Sequence, residues 1–158
     1  DIHGGSVRCY IKNAKDIKPN KKVVNILNQE KKLLTFKYLK NFNKLISKEA
    51  KFLKKNLSIL KIKKQKIYGY GAPARVSTIT NLAKIDSKLI NAIIDDSPLK
   101  QNRFSPGMHI PIKSNSYLKN KKVDALIVFA YDYFKDIKKK TKNIKCKYFM
   151  PIPFKILK

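Results

Sequence analysis

Apolar positions along the chain change their spacing part-way. Over residues 21–60, Val23, Leu27, Leu34, Tyr38, Phe42, Leu45, Leu53 and Leu57 recur mostly at three- and four-residue steps, with lysines between them. That is the period of a helix with one apolar face. No proline or glycine interrupts the stretch, so it predicts one very long helix, or two joined by a bend near residues 41–43, whose stripe covers one face of a sheet. From Lys66 onward the stripe gives way to short apolar runs at 66–70, 90–96, 123–130 and 146–152, with helical stretches at 75–83 and 135–142. The run VDALIVFA at 123–130 is nearly unbroken, as expected of a strand buried on both faces of a parallel sheet. Alternating strands and helices predict an α/β fold, a parallel sheet with the long helical segment packed on it. A polar segment with two prolines, 97–108, leads into residues 109–112 and is too structured for a linker. At the start, a polar loop of His, Gly-Gly and Ser precedes a strand-like run that ends at Ile11.

The 158 residues suffice for one domain, 1–158, with one core and no need of covalent staples. A hydrophobic fraction of 43% with eight Phe and eight Tyr supports a globular chain. No apolar run reaches the roughly 18 residues of a membrane span. A basic amphipathic helix lying on a membrane is disfavoured by the absence of Trp and by the sheet available to cover the stripe. Cys9 and Cys146 lack disulfide or metal-ligand spacing, so they read as small buried hydrophobes in a reducing, cytoplasmic setting, with no metal site. The first residue is aspartate, with no initiator methionine or signal sequence, which suggests a piece of a longer protein.

The net charge of +27 comes from 37 basic residues, of which only Arg8, Arg75 and Arg103 are arginine, leaving 34 lysines spread over every segment. A nucleic-acid surface would show arginine for bidentate contacts and clustered basic and aromatic side chains. Lysine mixed with Ile and Asn throughout is as well explained by compositional bias, so no specific nucleic-acid partner is expected. The charge still attracts any phosphate-bearing ligand.

The stretch 66–74 carries the candidate chemistry. A strand runs without a linker into Gly69-Tyr70-Gly71-Ala72-Pro73-Ala74 and then a helix, the spacing GxGxxA, a variant of the dinucleotide fingerprint. Gly69 permits the turn, Gly71 lets a ligand approach the main chain, and Ala74 is small where the helix packs on its strand. Pro73 suits the first helical turn, and the donors there favour an anion, with Arg75 and nearby lysines adding positive charge. A tight strand-to-helix turn with no ligand is the competing reading. Ligands of such sheets bind at the carboxyl ends of the strands, which here carry 69–73, Asp95-Asp96 and Tyr131-Asp132-Tyr133. Asp95 and Asp96 are placed to accept hydrogen bonds from a ribose or hexose hydroxyl, although Asp96 also reads as the start of a turn. His3 could transfer a proton or hold a sugar hydroxyl and Arg8 a phosphate; both could equally be surface residues.

Four segments in order, HGGSVR at 3–8, GYGAPARVSTITNL at 69–82, DDSPLKQNRFSPGMHIPI at 95–112 and YDYFKDI at 131–137, resemble the carboxyl-terminal domain of S-adenosylmethionine-dependent sugar-nucleotide C-methyltransferases. These enzymes methylate a ring carbon of a deoxysugar carried on dTDP. The resemblance implies a Rossmann-like fold that holds the nucleotide-sugar, with zinc-binding and methyltransferase domains preceding it in the same polypeptide. It matches His3, Gly4, Gly5, Ser6 and Arg8 to one element and Gly69 to Ala74 to the glycine turn, and places Lys100, Gln101, Pro106 and Gly107 on a further loop. Four positions depart: Arg75-Val76 stands where Lys-Gly is common, Asn102 where glycine is, and Asp132 where asparagine is usual. The added charge at Asp132 bears on substrate identity.

No second glycine-rich turn with an acidic partner for S-adenosylmethionine is present in the sequence, and no cysteine cluster for zinc, so this domain binds neither and does not methylate alone. Its role under the resemblance is to position the sugar-nucleotide for the preceding domain. The alternatives are an NAD-binding domain of an oxidoreductase, on the fingerprint spacing, and a basic nucleic-acid module, on the charge.

Overall fold

The computed structural model describes residues 7–11, 13 and 18–158. The chain divides into two units, 1–44 and 45–158.

In the first unit, residues 7–11 form no strand, contrary to the expectation; Val7, Tyr10 and Ile11 are more than four-fifths exposed, and with no partner strand among the described residues, alternation alone does not hold an extended segment. Helix α1, Lys21–Leu33, is capped by Asn20, whose Oδ1 accepts from the Lys22 N–H at 2.9 Å. Helix α2, Phe36–Ile62, begins at Thr35, whose Oγ1 accepts from the Tyr38 N–H at 3.2 Å. The break in the helical segment therefore falls at Leu34-Thr35, where a capping hydroxyl starts a new helix, and residues 41–43 lie inside α2.

The second unit holds the rest of α2 and a six-stranded sheet: β1 Ile67–Tyr70, β2 Ile93–Ile94, β3 Ile112–Lys113, β4 Ala125–Val128, β5 Lys147–Met150 and β6 Lys155–Leu157. Their order is β3-β2-β1-β4-β5-β6. The first five are mutually parallel, and β6 pairs antiparallel with β5. The sequence had suggested no strand after residue 152; β6 follows a turn in which Phe154 stacks on Phe149 at 5.1 Å between ring centroids. β4 is central and buried throughout, as its unbroken apolar run requires. Helix α3, Ala74–Ala83, joins β1 to β2, and a 3-10 turn, Tyr131–Tyr133, and α4, Phe134–Lys140, follow β4. Between β2 and β3 there is no helix; the 97–111 loop is tied internally by Ser105, whose Oγ accepts from the Ile110 N–H at 3.0 Å.

Pleating divides the core. Ile67, Ile93, Ala125 and Ile127 face Ala50, Leu53 and Leu57 of α2 and Val76 and Ala83 of α3. Tyr68, Tyr70, Ile94, Leu126 and Val128 face Leu118 and Ile137. The expected stripe over 23–57 is thus buried only at its end: no residue of α1 is buried, and Val23, Leu27, Leu34, Tyr38, Phe42 and Leu45 are exposed. The physical reason is length. A four-residue strand spans about 13 Å, whereas the 27 residues of α2 run roughly 40 Å. Cys9 is exposed and not the buried hydrophobe expected, whereas Cys146 is half-buried and packs against the core.

Candidate functional site at the carboxyl ends of the strands

Strand order reverses between β1 and β4, the two strands nearest the middle of the sheet, and chains leaving them diverge to opposite faces. A cleft of about 320 Å³ opens there. Tyr70, Gly71 and Pro73 line it from the end of β1, Asp95, Asp96 and Lys100 from β2, Ala130 and Tyr133 from β4, and Asp136, Ile137 and Lys140 from α4. Two larger hollows lie elsewhere, about 500 Å³ along α1 and about 640 Å³ among the segments that precede β4 and β5. The first shares no lining residue with the cleft, and the second shares only Lys140.

The glycine turn is built by packing. Gly71 has φ +81°, and a Cβ placed there would overlap the Cβ of Ala130 and lie 3.1 Å from its nitrogen. Gly69 lies within β1 and not in the turn, contrary to the expectation, and a Cβ there would come 3.0 Å from both Ile93 and Phe129. Main-chain proximity to Ala130 therefore accounts for Gly71 without a ligand. Ala74, expected as the small contact between helix and strand, is exposed at the start of α3; the close approach has moved to the glycines.

Asp95 is spent on this turn. It is 8% exposed, its Oδ2 accepts from the Ala72 N–H at 2.6 Å and faces Lys100 Nζ at 3.5 Å, and its Oδ1 accepts from the Ser97 N–H at 2.9 Å. Gln101 donates through Nε2 to the Asp95 carbonyl at 3.0 Å. Asp96, by contrast, reaches into the cleft: its carboxylate accepts from the Tyr70 hydroxyl at 3.2 Å and from Lys140 Nζ at 2.7 Å. Burial, and then the Asp96 carboxylate, push the Tyr70 phenol well above its ordinary value, so it remains protonated and donating.

Arg75, which does not line the cleft, ties the start of α3 to the turn after β4. Its guanidinium donates to Asp132 Oδ2 at 2.7 Å and stacks 4.3 Å from the Tyr131 ring centre. The stacked Nη1 is buried and has no hydrogen-bond partner among the described residues. Pro106 and Gly107 are not in the cleft. The Pro106 carbonyl accepts from Asn81 Nδ2 at 3.0 Å, and a Cβ on Gly107, φ +84°, would overlap the Asn81 side chain, so both sit at the far end of α3. Arg8 is exposed in the first unit, and His3, Gly4, Gly5 and Ser6 lie outside the described residues.

Of the expected positions, then, Tyr70, Gly71, Pro73, Asp95, Lys100 and Tyr133 line one cleft. Sequence reasoning missed Lys140 and Asp136, four residues apart and hence on one face of α4. Among the described residues, no three His, Cys, Asp or Glu side chains are grouped to hold a metal ion, and no helix is long and apolar enough to cross a membrane.

A family model described as the C-methyltransferase C-terminal domain matches residues 1–153. The chain belongs to that family. No curated protein matches it significantly. Within this C-methyltransferase domain, Arg75 and Asp132, two of the departures noted in the sequence, are each other's partners. The extra negative charge at Asp132 is met by the guanidinium and not left facing the cleft.

Proposed function

We propose that this C-methyltransferase domain holds a nucleotide-linked sugar, of the dTDP-deoxysugar kind, in the cleft at the ends of β1, β2 and β4. The observation that carries the reading is the coincidence of that cleft with the point where strand order reverses, in a chain of this family. The start of α3 and the Lys100 ammonium suit a pyrophosphate, while the carboxylate floor suits hydroxyl groups. The residues here orient the sugar and keep water from it; S-adenosylmethionine and the groups that move protons are supplied by a preceding domain of the same polypeptide. A dinucleotide reading is weaker, because Asp95, the acid that follows β2 directly, has its oxygens engaged by Ala72, Ser97 and Lys100.

Calorimetry on the 158-residue chain with dTDP, dTDP-glucose, NAD and S-adenosylmethionine tests this. The expected result is binding of the dTDP ligands, weakened by Lys100→Ala and unaffected by Lys54→Ala on exposed α2 surface. Binding of NAD or S-adenosylmethionine alone would overturn it.

A further inference from the structure

We infer that Asp96, flanked by Tyr70 and Lys140, is the residue that reads the sugar hydroxyls of the bound ligand and so sets its specificity. The inference rests on the reading of the cleft just given and identifies which of its groups face the sugar.

The first argument is free capacity. An ionised carboxylate offers about four lone-pair directions. Asp96 uses one for the Tyr70 hydroxyl and one for Lys140 Nζ, and its side chain is 48% exposed in the cleft. Asp95, one residue earlier, is committed to two backbone N–H groups and Lys100, with its side chain only 11% exposed. Lys140 gives one of its three N–H bonds to Asp96 and keeps two. The Tyr70 hydroxyl keeps its proton, donates it in a hydrogen bond to Asp96, and can still accept. Acceptor, donor and acceptor thus stand side by side, the set that matches neighbouring hydroxyls, each of which both donates and accepts.

The second argument is charge. In a chain with 34 lysines and ten acids, three of those acids, Asp95, Asp96 and Asp136, line this one cleft beside two ammonium groups. Compositional bias would have scattered lysine here as it does elsewhere. The Asp96 and Asp136 carboxylates repel phosphate and suit an uncharged, hydroxyl-rich group, leaving the anionic part of the ligand to the Lys100 and α3 side, where the Asp95 charge is already met by Lys100 and two N–H groups.

An exposed lysine–aspartate pair alone would be worth little. Here the carboxylate also accepts from Tyr70, which is 2% exposed and anchored in the core, so the acceptor is held in a fixed place.

The test is calorimetry with dTDP, dTDP-glucose, UDP and UDP-glucose on the unmodified chain, on Asp96→Asn and on Lys140→Ala, with thermal melts confirming that each is folded. The expected result is that the hexose tightens binding to the unmodified chain and that Asp96→Asn loses that gain, roughly ten- to a hundredfold, with dTDP affinity held within about twofold. A preference for UDP over dTDP that Asp96→Asn abolishes would place the hydroxyls on the ribose and also support the inference. An unchanged ratio of dTDP-glucose to dTDP, together with an unchanged ratio of UDP to dTDP, in folded Asp96→Asn would overturn it while leaving the proposed function standing. No binding of any of the four ligands to the unmodified chain would overturn both.

Discussion

Gly71→Ala should destabilise the domain in the absence of any ligand. Two costs are legible at this position. The backbone is left-handed, φ +81°, which costs a residue with a Cβ about 1–2 kcal/mol. The added methyl overlaps the Ala130 Cβ, which sits on the chain leaving the neighbouring strand, and overpacking of this kind costs about 1–3 kcal/mol. Together they predict about 2–5 kcal/mol and, at roughly 2–4 °C per kcal/mol for a domain of this size, a melting temperature lowered by about 10 °C. Ala130→Gly removes the overlapping atom but not the strain, so the double variant should recover the overpacking part, less the roughly 0.5–1 kcal/mol that a glycine itself costs. The cycle of urea-unfolding measurements on the parent, both single variants and the double variant isolates a coupling of about 1–3 kcal/mol. A Gly71→Ala melt within 2 °C of the parent, or about zero coupling with Ala130→Gly, would refute the packing account and return Gly71 to a role in ligand approach.

Asp95→Ala should cost about 3 kcal/mol in urea unfolding, since the Ala72 and Ser97 N–H groups lose a charged acceptor; a loss below about 1 kcal/mol would mean that the turn holds itself. Asp132→Asn, which breaks a partly exposed pair with Arg75, should cost under about 1 kcal/mol, and the same measurement giving more would show that the pair is coupled to the core. Leu53→Ala, at a fully buried position of α2, should cost about 2–5 kcal/mol, against about 0.5 kcal/mol or less for Leu27→Ala on α1; equal costs would show that α1 has a buried face. The raised Tyr70 pKa means that the folded state holds this proton more tightly than the unfolded chain, whose value is near 10.0. Its contribution is complete below that pH and is lost progressively as the pH rises towards the higher folded value, so urea midpoints between pH 8 and 11 should fall less steeply in Tyr70→Phe than in the parent; parallel slopes would contradict the shift.

The sheet was largely readable from the sequence because its signals are local. The unbroken run at 123–130 predicts a central strand, and β4 is central; the strand–glycine–helix signal at 66–83 becomes β1 and α3. What failed depended on reach. A helical period over 21–60 says which face is apolar but not how much sheet exists to cover it, and strands of two to four residues cover only the end of α2. The helix break lies at 34–35 and not near 41–43, because Thr35 captures the Tyr38 N–H and starts a helix, a cap that apolar spacing does not register. β6 carries little local signal, since it has three residues and its hydrogen bonds come from β5.

Among the site residues, the acid pair shows where reading the sequence stopped short and what would have carried it further. Spacing alone gives both acids the same role, with Asp96 also at the start of a turn, yet the pleat separates them by side. Ile93 packs with Ile67 and Ile127, and Ile94 with Tyr70, Val128 and Ile137. Continuing the alternation by two residues puts Asp95 on the α3 side, where it meets the Ala72 N–H, and Asp96 on the side of Tyr70, whose register partner is Ile94. Parity was available from the sequence; the position of α4 was not. That helix has seven residues and a single buried side chain, Ile137, so no periodic stripe announces which face it presents, and only the fold brings Lys140 to Asp96, 44 residues away. A carboxylate whose partners come from the end of one strand and the end of a distant helix is invisible to spacing rules, which register only groups that share an element. Where a chain carries lysine in every segment, the scarce acids are therefore the more informative charges, and the three that line this cleft mark it more clearly than any of the 34 lysines can.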